Sequence, residues 1–327
     1  MAGASPASGM FTTIMSAVSA LPDDNSARSI FVYPGTYNEQ VNITRSGPLN
    51  IYGFTTDTTT YTANTVTIQR GVPASVAGSN DLSGTLRIHK DDFRLYNINV
   101  KNTFGPGSQA IAISQYGSRV GLYACGFFGY QDTLYANQGT QVYLKSYIEG
   151  AVDFIFGRLG SAYFGGNTIA VKGPGYITAS GRLSNDNGSC RHILIILPWR
   201  NMLKDMNVAD VLEDSTIVLA ADVVANTANR FFLGRPWGNF AKVIFKNTQI
   251  IAPINQTIWS IWNPGDERTD NVFITDYNTT VVGTEAVLSR PSWVKTLNAT
   301  EARAFNIASA VGNDWAAWVD REYLDRE

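Results

Sequence analysis

The sequence predicts an all-β fold wound as a parallel solenoid, and three observations carry that prediction. Short β-branched and aromatic runs follow one another at 29–33, 49–52, 65–69, 93–101, 120–128 and 142–149, separated by clusters of Gly, Asn, Asp and Ser. No helical pattern of about 10 to 15 residues alternates with them, which weakens a Rossmann-like or TIM-barrel arrangement. The runs also resemble one another. RLYNINVKN, GLYACGFFG, VYLKSYIEG, YFGGNTIAV, LEDSTIVLA and VIFKNTQII each place a small or polar residue after an apolar stretch, at Asn97, Cys125, Ser146, Asn167, Ser215 and Asn247. The intervals of 28, 21, 21, 48 and 32 residues give a loose repeat of roughly one coil per 20 to 30 residues, with the longest counted as about two short ones. Asn and Ser side chains pointing inward would stack between coils and satisfy one another. A sandwich with irregular strand spacing is the competing arrangement.

The elements follow in order. Phe11, Ile14, Val18 and Leu21 keep helical spacing before Pro22, so a short N-terminal helix is expected. The repeated strands come next. The segment 190–212 interrupts them with ILIIL and PWRNMLKDMN, unlike its surroundings. Two readings stay open for it: an excursion outside the β core, or a foreign stretch introduced by a gene-model error. Residues 300–327, containing EARAF and DWAAWVDREYL, are richer in helix formers and are expected to form a helical C-terminal cap. The 327 residues then form one domain, although length alone suggests two.

Composition excludes several functions. Charged residues are only 16% and the formal net charge is −2, which disfavours nucleic acid or an anionic membrane as partner. With two histidines (His89, His192) and two cysteines (Cys125, Cys190), a His-rich zinc site or a disulfide framework is not expected. No spacing rule pairs the two cysteines. No apolar stretch approaches the roughly 20 residues of a membrane span, and the start of the chain has neither a basic nor an apolar signal-peptide region.

Four polar residues fall on the solenoid period. Gln109 and Gln131 are 22 residues apart, and Asp132 and Asp153 are 21 apart. Stacked one coil apart, with strands about 4.8 Å from each other, they would form one patch among aromatic neighbours. Two carboxylates held close ionise in sequence, which yields an acid and a nucleophile from one residue type. Arg235, in LGRPW beside Trp237, would keep one of them charged.

At these residues the chain resembles pectin methylesterases. GTYNE (35–39), QAIAI (109–113), GYQDTLY (129–135), GAVDFIFG (150–157) and LGRPW (233–237) look like the five signature blocks of that family, in the same order. The short loops and Asn-rich style, with 26 asparagines, are similar to fungal members. The resemblance implies a right-handed parallel β-helix and hydrolysis of the C6 methyl esters of polygalacturonate, with no cofactor or metal. It implies Asp153 as nucleophile, Asp132 as general acid and then base, Gln109 and Gln131 as oxyanion donors, and Arg235 as the partner of Asp153. Trp237, Tyr135, Phe154 and Trp259 match substrate-contact positions. Pectin is then the expected partner, the chain is expected to be secreted, and a monomer is expected. Ser180 departs from the family pattern, where Gln is frequent. A polygalacturonase would need three clustered aspartates, and a pectate lyase a calcium site. A non-catalytic carbohydrate-binding solenoid, inactivated by the 190–212 segment, remains the alternative from another class.

Overall fold

The structure, a computed structural model, describes residues 9–184, 186, 210–282 and 288–324. Strands lie side by side in parallel and are wound into coils of a right-handed parallel β-helix. One nine-stranded sheet runs from Arg28–Val32 at the first coil to Phe273–Tyr277 at the last. A second, fourteen-stranded sheet carries the remaining faces.

The core is a set of ladders in which one residue per coil sits above its counterpart. In the nine-stranded sheet Ile30, Ile51, Leu95, Leu122, Tyr143, Phe164, Leu212 and Phe245 are consecutive register partners. From Ile51 to Phe245 all are fully buried. The next rung is Asp276. Its buried carboxylate is held by Arg290 and by the indole N–H of Trp259, so the charge enters the core paired.

A second ladder runs through the corners. Ala124, Lys145, Asp214, Asn247 and Asn278 turn the chain with φ between 48° and 52°, a left-handed conformation best tolerated by Asn and Asp. The residue after the corner points inward. Cys125 N–H donates to Ser146 Oγ (3.1 Å), Ser146 N–H to Asn167 Oδ1 (2.8 Å), and Asn167 Nδ2 to the Tyr143 carbonyl (2.9 Å). The inward stack expected for Asn and Ser is therefore present at Cys125, Ser146, Asn167 and Ser215, all buried. Asn97 and Asn247 are corrections: the register Tyr96↔Tyr123 places Asn97 at the corner itself, and Thr248, not the exposed Asn247, is the buried residue. The 48-residue interval is also a single coil, because Gly165 pairs directly with Glu213.

Of the 190–212 segment, residues 190–209 lie outside the described residues, as does the pairing of Cys125 with Cys190. Residues 210–212 belong to the strand Asp210–Glu213, which pairs on both sides, so that end of the segment lies inside the β core and not outside it. The N-terminal helix is Ile14–Ser19, with Ile14 and Val18 on the core. Glu39, the end of GTYNE, accepts from the free N–H groups of Ile14 and Met15 (2.8 and 2.9 Å) and so fixes the first turn.

The C-terminal segment is helical in short pieces, Ala299–Arg303, Ile307–Val311, Trp315–Ala317 and Arg321–Tyr323. It does not close the end of the solenoid. It lies along the outer face of the nine-stranded sheet, with Phe305, Val311, Trp318 and Tyr323 packed on Tyr96, Tyr123, Leu144, Val211 and Ile244. Arg94 donates to the Trp318 carbonyl and Lys246 to that of Phe305, which ties the segment to coils far apart along the axis. The physical reason is the outward row of Tyr96 and Tyr123, an apolar face that needs a cover. No described helix is long and apolar enough to cross a membrane.

Candidate active site

The two aspartates occupy equivalent positions on adjacent coils. Asp132 has φ 63° and Asp153 φ 50°. The Asp132 N–H donates to the Val152 carbonyl (3.0 Å), and Gln131 bridges Val152 in parallel. Both carboxyl groups are buried. Left-handed turns at both residues take the side chains out of strand alternation.

Arg235 reaches Asp153 from the strand Phe231–Pro236 with a two-pronged contact, Nε to Oδ1 (3.0 Å) and Nη2 to Oδ2 (2.7 Å). Such a fork holds a carboxylate in one plane. The charges separate the two aspartates. Burial pushes Asp132 up to about 8, the neighbouring Asp153 charge adds to this, and Arg235 opposes it. Burial also raises Asp153, but there the hydrogen bonds and charge of Arg235 pull the other way. Asp153 therefore gives up its proton first and Asp132 keeps its own, as a charged group and a proton donor side by side require. Asn80, from the short helix Asn80–Ser83, touches Asp132 Oδ2 at 3.5 Å.

Gln109 and Gln131 follow one another on adjacent coils. The Gln131 carbonyl accepts from Ala110 N–H (3.1 Å), and the Gln109 carbonyl from Ala74 N–H (2.8 Å). Gln131 is half-buried and Gln109 exposed. Along one flank runs a row of rings. Tyr116 meets Tyr135 edge-on, Tyr135 stacks on Phe156 (4.4 Å, 8°), and Phe156 meets Trp237 edge-on (6.3 Å). Tyr135 and Trp237 thus belong to one row of partly exposed rings.

Two expected contact residues are not. Phe154 is 0% exposed and Trp259 1% exposed, both inside the main core. The pairing of Tyr147–Gly157 with its neighbour slips between Val152 and Ile155. That slip breaks the alternation and sends Phe154 inward, leaving Phe156 to face the rings. Trp259 turns its ring onto Phe245 (5.7 Å) and its N–H onto Asp276. Arg235 likewise stacks not on the nearby Trp237 but between Tyr176 and Trp262, 4.0 Å from each ring centre. Sequence reasoning missed Phe156, Tyr176, Trp262 and Asn80. Only Phe156 had a signal, being in the same motif as Asp153. Among the described residues, no cluster of three or more His, Cys, Asp or Glu side chains could hold a metal ion.

A parallel β-helix bearing this acid pair falls in the class of carboxylic ester hydrolases, and the comparisons with known proteins agree. The pectinesterase family model matches residues 2–314. A probable pectinesterase A of Aspergillus fumigatus is 38% identical over 316 residues, covering 97% of this chain and 88% of its own. A pectinesterase of Aspergillus niger is 38% identical over 323 residues, covering 97% and 90%. Among solved structures, the deglycosylated pectin methylesterase from Aspergillus niger superposes with TM-score 0.83 at 35% identity, covering 97% of this chain and 96% of that one. The pectin methylesterase from carrot superposes with TM-score 0.79 at 25% identity, covering 95% and 92%. The chain belongs to the pectinesterase family.

Proposed function

We propose that this chain hydrolyses the C6 methyl esters of polygalacturonate, releasing methanol and leaving acidic pectin, with Asp153 as nucleophile. The observation that carries the reading is the Arg235–Asp153 fork beside a carboxyl group held protonated at Asp132. Family membership and the fungal relatives support the reaction itself.

The chemistry runs in two halves. The Asp153 carboxylate attacks the ester carbonyl and forms a tetrahedral oxyanion. The side-chain amides of Gln131 and Gln109 donate to that oxyanion, and each such donor is worth roughly 3 kcal/mol of barrier. Asp132 gives its proton to the departing methoxide, so methanol leaves and an acyl anhydride with Asp153 remains. Asp132, now charged, takes a proton from water, whose hydroxide cleaves the anhydride. Asp153 is released as a carboxylate and Asp132 is protonated again. No cofactor or metal enters any step. Tyr135 and Trp237, both partly exposed, offer ring faces to the apolar C–H faces of sugar rings, and the buried Phe156 backs Tyr135.

We infer pectin outside the cell as the partner, and a secreted, monomeric enzyme with no nucleic acid or membrane partner. The test is incubation with highly esterified pectin without added calcium. Methanol and titratable acid are expected with no unsaturated product. Binding without methanol would support a carbohydrate-binding solenoid, and unsaturated sugars a lyase; either overturns the reading.

A further inference from the structure

We propose that Trp262 and Tyr176 are positioning residues for the reaction: they clamp the Arg235 guanidinium between two aromatic faces and so hold its fork flat against Asp153. The inference rests on the reading in which Asp153 is the nucleophile, and it assigns the source of that residue's orientation.

Every side of the guanidinium is occupied. Its faces lie 4.0 Å from the Tyr176 and the Trp262 ring centres. Nε and Nη2 grip Asp153, and Nη1 donates to the Trp262 carbonyl (3.2 Å). Trp262 therefore fixes Arg235 twice, by ring and by backbone. An arginine on a long flexible stem loses much freedom when it forms a planar two-point contact, and a cation between aromatic faces is held before substrate arrives.

The clamp is itself anchored. Arg268 also lies over the Trp262 ring, 4.8 Å from its centre. Asp266 holds Arg268 through Nε (3.1 and 3.0 Å) and Nη2 (2.7 Å), and Arg268 also donates to the Trp237 carbonyl. The loop that carries Trp262 closes on itself. Trp262 N–H donates to the Glu267 carbonyl (3.1 Å), and Asn263 and Asp266 exchange backbone bonds (3.2 and 3.0 Å). Between them Pro264 and Gly265, with φ 85° at Gly265, supply what the two central positions of a type II turn need. On the other side Tyr176 is the register partner of Val152 and Phe232, and it stacks on Phe232 (5.5 Å). Tyr176, Arg235, Trp262 and Arg268 thus join the strand paired beside the nucleophile's to the hydrogen-bonded loop 262–267.

The charged groups facing Asp153 are Asp132 from the preceding coil and Arg235 from the strand Phe231–Pro236. If the clamp is lost, Arg235 swings away more often, and the buried Asp153 carboxylate faces Asp132 with less compensation. Its proton then binds more tightly. Fewer molecules carry a charged nucleophile, and the acidic limb of the pH–rate profile moves to higher pH.

The experiment compares Trp262→Leu, Trp262→Phe and Tyr176→Leu with the wild type by methanol release, thermal melting and pH profile. Trp262→Leu is expected to lower kcat by about tenfold to a hundredfold with KM little changed, and to move the acidic limb upward. Trp262→Phe, which keeps an aromatic face, is expected to restore most of kcat. A folded Trp262→Leu with wild-type kcat and acidic limb overturns the proposal. So does an effect confined to KM, which would make Trp262 a sugar platform. If Trp262→Leu does not fold, Tyr176→Leu decides by the same criteria. A silent wild type, or an active Asp153→Asn, would instead remove the reading on which the proposal rests.

Discussion

Replacing Asp132 by Asn is expected to abolish turnover and at the same time stabilise the protein, by an amount that grows with pH. In the folded chain burial and Asp153 push Asp132 from its ordinary 3.8 up to about 8. The sign follows from proton counts. Between those two values the folded state keeps a proton that the unfolded chain has released, so stability falls as pH rises across the window. Each pH unit costs about 1.4 kcal/mol. From about pH 4.5 to about pH 6.5, two units inside the window, the wild type loses roughly 2.7 kcal/mol through this residue. Asn has no proton to release and escapes the loss. Other titrating groups are common to both proteins and cancel in the difference. At roughly 2 °C of Tm per kcal/mol for a chain of this size, the advantage of the variant should widen by about 5 °C between the two pH values. Scanning calorimetry or dye-monitored melting at both pH values measures it. A gain equal at both, or one that shrinks with pH, would mean that folded Asp132 is already ionised, and the proton-reserve argument would fail.

Three further outcomes follow from particular contacts. Asn167→Ala removes the acceptor of the buried Ser146 N–H and the donor to Tyr143; a buried unsatisfied group costs about 1–3 kcal/mol, so denaturant unfolding should register a loss of at least that size with the same slope. Gly181→Ala would put a methyl group 2.2 Å from Cε3 of Trp237; the ring must shift, and KM for esterified pectin should rise severalfold, an effect absent if Trp237 does not line the groove. The kcat profile of the wild type should fall as pH passes about 8, where Asp132 loses the proton it gives to methanol; a flat profile through that region would exclude Asp132 as the donor.

Much of the architecture was legible because a solenoid repeats its requirements. Each coil needs a corner that tolerates positive φ, a small polar residue able to bond to the next coil, and an apolar rung. Asn97, Cys125, Ser146, Asn167, Ser215 and Asn247 brought that rhythm to the surface of the sequence. The one-residue errors at Asn97 and Asn247 have a physical origin: Asn suits both the left-handed corner and the inward stack, so its identity does not separate neighbouring positions. The site was legible for a related reason. Residues one period apart had to share a face, which joined Asp132 to Asp153 and Gln109 to Gln131. What failed depended on local geometry without periodic expression. The slip between Val152 and Ile155 turns Phe154 into the main core and Phe156 toward Tyr135 and Trp237, and nothing in VDFIFG announces it. Trp259 and Trp262 sit three residues apart with similar neighbours, yet only one reaches Arg235. The choice is made by the Pro264–Gly265 turn and by the buried Asp276. The helical character of the C-terminal segment could be read, but not its placement along the sheet, because its partners Tyr96 and Tyr123 are distant in sequence. Asn298 meets a purely local need, accepting from the Thr300 and Glu301 N–H groups to cap the helix Ala299–Arg303.

The most direct measurement is methanol release from esterified pectin by purified Asp153→Asn, with its melting curve recorded alongside. The account predicts a folded protein whose rate has fallen to the uncatalysed background. A folded variant that still liberates methanol at a rate near the parent's would contradict it, since the ester would then be opened by some group other than the carboxylate that Arg235 grips.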